Sequence, residues 1–240
     1  MKRQLEPVAA YDALAPEFSR ISGRRRAYLD AIERLVVSHI PQGSRSLLEI
    51  GAGDATRSFR IIEAAGFKEF VLLEPSEAMR STWPPETPAW PIRAEDLHRK
   101  NGAFDVITCL WNVLGHIFPE ASRVEVLRQC ARLLNPRGLL LLDVNHRYNA
   151  SQYGYVATFL RFLYDQLSPH ENNGDVTSAW EVNGGVYATR GHVFTDVEFR
   201  RIAGQAGLLI KSVFAVDYKT GLIRRSKYAG SLLYVLERRA

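Results

Sequence analysis

At 240 residues, with 46% hydrophobic and 24% charged side chains, the chain is large enough for one full core and too apolar for a disordered segment. Its net charge of +5 sits in short clusters, Arg24-Arg25-Arg26, Arg224-Arg225-Lys227 and Arg238-Arg239, which leave an anionic ligand open and form no long basic run. Two cysteines, Cys109 and Cys130, exclude a disulfide framework and paired metal-ligand spacing, and no stretch approaches the ~20 apolar residues of a membrane span.

In chain order, the opening MKRQLEPVAAYDALAPEF has a basic tip and no apolar segment of signal-peptide length, so a cytoplasmic chain is expected. Leu29, Ile32, Leu35, Val36 and Ile40 recur at helical spacing over 27–40, and Pro41-Gln42-Gly43-Ser44 ends that helix. Ser46 to Ile50 is a short apolar strand that runs into glycines, and a helix follows with Gly66 as its stop. Phe70 to Leu73 is a second strand, closed by Glu74-Pro75 with Ser76 as a helix cap. The proline-rich 83–91 cannot be helical throughout, and 92–94 is a candidate third strand. A fourth spans 104–111, and Val124, Leu127, Ala131 and Leu134 mark a helix face after it. Asn135-Pro136-Arg137-Gly138 reads as a turn, and Leu139 to Val144 as a strand buried on both sides.

Residues 145–185 break this rhythm: a polar, aromatic loop, a helical piece at 159–167, then a polar stretch with Gly174, Gly184 and Gly185. They read as an insertion that covers a site. Thr195-Asp196-Val197-Glu198 has the capping-box pattern, and 208–213 and 228–236 read as the last strands. Alternating strands and helices specify a parallel sheet covered on both faces. The chain is expected to form one domain: a helical cap (1–45), a binding core (46–144), the insertion or lid (145–185) and a segment completing the sheet (186–240).

The chemistry is concentrated in SLLEIGAGDAT, residues 46–56. Gly51 and Gly53 admit backbone angles closed to other residues and let a ligand approach the main chain. A dinucleotide fits badly, because Thr56 stands where the third glycine of G-x-G-x-x-G belongs and Glu49 would repel a pyrophosphate. A cationic ligand suits that carboxylate, and S-adenosylmethionine (SAM) carries both a sulfonium and an ammonium group.

LLEIGAGDAT resembles motif I of the class I SAM-dependent methyltransferases, with Ala55 in place of the motif's last glycine. Phe104-Asp105-Val106-Ile107 and Leu110 to His116 resemble motif IV, and Leu133 to Leu139 matches the family's helix-turn-strand element with P-x-G. The resemblance covers roughly residues 46–144. It implies a Rossmann-like, seven-stranded, mostly parallel sheet with helices on both faces, an antiparallel last strand and an insertion after the fifth. It also implies SAM as cofactor, with S-adenosylhomocysteine as product. On the cofactor it places Glu49, Gly51, Ala52 and Gly53, with Glu74 on the ribose hydroxyls and Pro75 beside it. Met79 falls near adenine, Glu95 and Asp96 at the adenine edge, and Leu110, Trp111 and Asn112 around the methionine part and methyl. Tyr11 lies in a segment similar to one that closes over SAM in small-molecule methyltransferases.

For acid–base work, His116 is the foremost candidate, followed by His146 and Tyr148 after the fifth strand. Arg20, Arg24, Arg147 and Tyr153 are candidates for an anionic acceptor. No Asn-Pro-Pro-Tyr-type motif and no metal-binding acid cluster is present, so the leading acceptor is a nitrogen or oxygen of a small molecule. Two alternatives remain, an RNA or protein methyltransferase using the basic clusters and a non-catalytic SAM-binding protein. The protein is expected as a monomer or homodimer.

Overall fold

The computed structural model describes residues 2–182 and 184–239. Its strands are β1 (Lys2–Gln4), β2 (Ser46–Ile50), β3 (Glu69–Leu73), β4 (Ala89–Trp90), β5 (Phe104–Cys109), β6 (Leu134–Val144), β7 (Asp175–Val182), β8 (Gly185–His192), β9 (Leu208–Val216), β10 (Ile223–Arg224) and β11 (Ser231–Arg238). The helices are α1 (Pro7–Leu14), α2 (Phe18–Gly23), α3 (Arg26–His39), α4 (Thr56–Ala65), α5 (Glu77–Arg80), α6 (Glu120–Leu133), α7 (Ala150–Tyr153), α8 (Tyr155–Leu167) and α9 (Asp196–Gln205).

The main sheet has the order β10-β9-β11-β6-β5-β2-β3-β4. Strands β4, β3, β2, β5 and β6 are mutually parallel, and β11 runs antiparallel between β6 and β9. Successive side chains of one strand serve opposite faces. Leu47, Val106 and Leu141 pack toward α3 and α4, whereas Leu48, Ile107 and Leu142 pack toward α6 and α9. Burial on both faces explains why these strands read as unbroken apolar runs.

The expected seven strands are joined by an eighth, the two-residue β10. The Asp217 carboxylate accepts the Lys219 and Thr220 N–H groups, and the tight turn folds Ile223 back alongside Val216. The third strand lies at Ala89–Trp90 instead of 92–94, because Pro91 has no N–H to continue the ladder, and Ala94–Arg99 coils into a 3₁₀ turn. The turn at 135–138 is absorbed into β6 as an irregularity: Arg137 takes φ 70°, and pairing with β5 jumps from Phe104↔Leu134 to Val106↔Leu139.

The polar stretch before Val186 is also a strand. β7 and β8 form an antiparallel hairpin from Asp175↔His192 to Val182↔Gly185, and β1 joins β8 in parallel to make a second sheet. The boundary drawn at 185/186 therefore falls inside this hairpin, and β8 belongs to the cover, not to the main sheet. Among the described residues no helix is long and apolar enough to cross a membrane.

The capping box at α9 forms as its sequence specifies: Thr195 Oγ1 accepts the Glu198 N–H at 3.0 Å, and Glu198 accepts the Thr195 N–H at 3.3 Å. Replacing Thr195 with Ala is expected to cost about 1 kcal/mol in urea unfolding, and Thr195→Ser much less.

Candidate active site

Past β2, the chain must turn sharply to start α4, and Gly51 does so at φ 74°. Its N–H donates to the Leu73 carbonyl at 2.8 Å, and a Cβ there would stand 2.5 Å from Val113 Cγ2. Both angle and space therefore require glycine. Gly53 and Ala55 follow at φ 60° and 57°.

Glu74, buried at the end of β3, accepts the Gly53 N–H through Oε2 and the Ser76 N–H through Oε1, each at 2.9 Å. Burial raises its pKa, and these two amides, with Arg80, oppose that rise. The carboxylate is thereby fixed against the glycine turn.

Above the turn, α1–α3 and the carboxyl ends of β2, β3 and β5 enclose a cleft of about 1290 Å³, counting its open mouth. Of the residues expected on the cofactor, Tyr11, Gly51, Ala52, Gly53, Glu74, Pro75, Glu95, Leu110 and Trp111 line it, and His116 lines it too. Four others do not. Glu49 is buried below the turn, where Oε1 accepts Arg57 Nη2 at 3.3 Å and Oε2 has no partner among the described residues. The cleft is met by Arg57 instead, and burial raises the Glu49 pKa. Met79 packs behind the site against Leu14, Phe18 and Val182. Asp96 pairs with Arg99 at 3.4 Å. Asn112 staples three segments: its Nδ2 donates to the His192 carbonyl at 3.1 Å, and its Oδ1 accepts the Asn145 N–H at 2.9 Å.

His116 and Tyr11 meet at the cleft wall, with His116 Nε2 3.1 Å from Tyr11 Oη and His116 Nδ1 3.2 Å from the Arg190 carbonyl. A carbonyl only accepts, so Nδ1 carries the proton and the bare Nε2 accepts the phenol O–H. Burial lowers the His116 pKa, while burial and the Glu74 charge raise that of Tyr11, so both are neutral near pH 7. Around them Phe18 meets Trp111 edge-on at 5.6 Å, and Tyr11 lies 6.2 Å from Trp180. Trp111 itself sits at φ 64°, a costly angle for a bulky side chain. Its N–H donates to the buried Asp143 carboxylate, and its indole N–H donates to Tyr218 Oη at 3.1 Å. Asp143 also accepts the Tyr28 hydroxyl at 2.5 Å.

The sequence reading missed Asp143, Arg57 and Phe18. Only Asp143 left a signal, as the one acid inside the apolar run LLLLDV. His146 and Tyr148 were expected in the site, but the structure puts them in a separate cavity with Lys227 and Tyr228. After β6 the backbone pairs with the segment around Phe194 (Phe194 N–H to Asn145, Arg147 N–H to Phe194), which turns His146 away from the cleft. Arg147 is occupied by Asp165, which also accepts the Tyr148 hydroxyl at 2.7 Å. Arg20 pairs with Glu17, and Tyr153 lies under Arg161 at 4.1 Å.

A family model described as "Methyltransferase domain" matches residues 21–213. The chain belongs to the class I SAM-dependent methyltransferases. A glycine/sarcosine N-methyltransferase of Halorhodospira halochloris is 30% identical over 103 residues, 40% of this chain and 36% of the relative, so the match spans well under half of that protein. The sugar N-methyltransferase KedS8 from Streptoalloteichus superposes with a TM-score of 0.61 at 20% identity, covering 94% of this methyltransferase and 92% of KedS8. A SAM-dependent methyltransferase from Bacteroides fragilis, solved with S-adenosylhomocysteine, gives 0.59 at 18% identity over 87% of this chain and 77% of its own. The Rossmann-like fold and the cofactor class expected from the glycine turn agree with these matches.

His146 offers a check on the separation of the two cavities. Burial pushes its pKa down to about 4, below the ordinary value near 6.5, so the fold favours the neutral ring. That stabilisation is complete above pH 6.5 and is lost as pH falls toward 4. Between pH 7 and 4.5, this methyltransferase is expected to lose about 2–3 kcal/mol more than its His146→Gln variant, read from urea midpoints.

Proposed function

We propose that this methyltransferase transfers the methyl group of SAM to a nitrogen or oxygen of a small molecule, with Tyr11 and His116 handling the acceptor's proton. The reading is supported chiefly by the Tyr11–His116 pair standing inside an aromatic enclosure. Its walls come from two further parts of the chain, Phe18 on α2 and Trp111 after β5, both of which line the cleft. Such an enclosure admits a compact acceptor and resists a polymer. The names of the relatives, glycine/sarcosine and sugar N-methyltransferases, fall in the same acceptor class.

The residues present fit the cofactor. Both Glu74 oxygens keep a lone pair beyond the backbone N–H each accepts, enough for the two ribose hydroxyls. Gly51 and Gly53 leave the main chain open on the cleft side, where Ala52 also lies. Leu110 and Trp111 flank the same cleft, with Glu95 at its rim. When bound, SAM supplies an electrophilic methyl carbon for in-line displacement. The protein's contribution is then alignment of the acceptor and exclusion of water, which Phe18, Tyr11 and Trp111 provide. Because the Tyr11 O–H already points at His116 Nε2, its oxygen is free to accept. A proton leaving the acceptor passes to Tyr11 Oη as the phenol proton moves to Nε2, leaving a neutral phenol and an imidazolium that returns its proton to solvent.

Radiolabelled methyl transfer from SAM to a panel of amino acids, amino sugars and hydroxylated small molecules tests the acceptor class, and transfer only to RNA or protein would overturn it. Glu74→Gln is expected to weaken S-adenosylhomocysteine binding about 10–100-fold by calorimetry, consistent with the ~1.5–3 kcal/mol of a charged hydrogen-bond pair. His116→Ala and Tyr11→Phe are expected to lower kcat about 10²–10⁴-fold on a hydroxyl acceptor, with His116→Ala leaving product affinity within a few-fold. The acid limb of kcat is expected below the ordinary imidazole value of about 6.5, since burial lowers the His116 pKa. An unchanged kcat in His116→Ala would remove the proton-transfer role.

A further inference from the structure

Helix α8 is built inside out. Its buried or half-buried polar residues, Thr158, Arg161 and Asp165, face the body of the protein. Asp165 is gripped there by Arg147 Nη2 at 2.8 Å and the Tyr148 hydroxyl at 2.7 Å, and Arg161 lies 4.1 Å over the Tyr153 ring. The opposite side carries the apolar residues. Tyr155 and Leu167 are each 85% exposed and Val156 74%, with Phe159, Leu160, Leu163 and Tyr164 exposed beside them. A surface helix ordinarily turns its apolar stripe to the core. Here the stripe faces away, Phe162 alone packs inward, edge-on to Tyr148 at 5.8 Å, and a 13-residue helix with so little apolar packing is marginal in water.

The outward stripe has a regular spacing. Val156, Leu160, Leu163 and Leu167 follow intervals of four, three and four, the a/d seam of a coiled coil. Thr158 and Asp165 then occupy the position opposite the seam, which is the side held by the protein body. Phe159 and Tyr164 flank the seam. The exposed apolar side chains of α8 leave on the order of 900 Å² uncovered, taking roughly 150–220 Å² for each complete side chain. That exceeds the ~300–600 Å² of a typical monomer's largest patch. It also matches the ~800 Å² each partner contributes to a stable interface.

We propose that α8 is a self-association surface: two copies of this chain pair α8 against α8 about a twofold axis, with the 156-160-163-167 seam at the centre. A twofold axis lets one self-complementary stripe serve both partners. The stripe has no charged side chain, since Arg161 and Asp165 are turned inward, and Glu171 is the first charge past its carboxyl end. An anionic lipid surface selects a cationic rim beside the apolar face. Tyrosine flanks around an aliphatic centre suit a protein partner instead.

Sedimentation velocity at tens of micromolar is expected to give a species of twice the 27.1 kDa chain mass. The Leu160→Glu, Leu163→Glu double variant is expected to sediment as a monomer that keeps a cooperative unfolding transition, with a melting temperature that no longer rises with protein concentration. Leu163→Cys supplies a readout that leaves the seam nearly intact, because the native Cys109 and Cys130 are both buried. A short thiol cross-linker is expected to give a covalent dimer with Leu163→Cys and none with Glu63→Cys on α4. A monomeric parent protein, a dimer that survives the double variant, or a monomer that binds phosphatidylglycerol vesicles through Leu160 and Leu163 would each overturn the proposal.

Discussion

The site depends on a buried carboxylate at the end of a central strand. Asp143 has almost no access to water; burial raises its pKa, and the donors that converge on it oppose that rise. One is the Tyr28 hydroxyl, from α3, the last helix of the cap; the other is the Trp111 N–H, from the turn after β5. Holding a tryptophan at positive φ costs on the order of 1–3 kcal/mol, and a charge-assisted hydrogen bond is of the same size. Asp143 thus ties the cap, the bent turn and the sheet into one arrangement. The bent turn puts the Trp111 ring against Phe18 and brings Val113 over Gly51.

From that arrangement the division of labour follows. The glycine turn and Glu74 form a rigid floor, with the Gly51 and Ala52 N–H groups on the Leu73 carbonyl and the Gly53 and Ser76 N–H groups on the Glu74 carboxylate. The wall is made from distant parts of the chain, with Tyr11 on α1 and His116 after β5 held by the Arg190 carbonyl on β8. The parallel pairing of β1 with β8 joins the amino-terminal cap to the hairpin that carries this carbonyl. A Tyr11–His116 pair assembled this way needs the cover and the core together.

How much was legible follows the range of the interactions. Local signals read true: the apolar run into Gly51, Gly66 closing α4, Ser76 capping α5 and the Thr195–Glu198 box. Strand β1 was not legible because its partner β8 is remote in sequence, and β7 was not because it carries no long apolar run. Some expected placements differ for a related reason. Glu49 precedes the glycine turn as a ligand would require, but Arg57, in the first turn of α4, pairs with it. His146 follows a strand end that usually faces the pocket, yet pairing with Phe194 rotates it to the far side.

Ala55 stands where the motif has its last glycine, and it adopts φ 57° all the same. The left-handed angle costs an ordinary residue about 1–2 kcal/mol. Its methyl group, however, is completely buried in the cluster formed with Leu72 and Trp83, and burying one such carbon returns about 0.8 kcal/mol. The exchange therefore leaves a net cost of only about 0.2–1.2 kcal/mol. At this position the turn demands a backbone angle and tolerates a small side chain, whereas at Gly51 it demands empty space as well. Glycines that look equivalent in a motif thus differ in how freely they drift, and a pattern requiring all three would pass over chains that bind the same ligand.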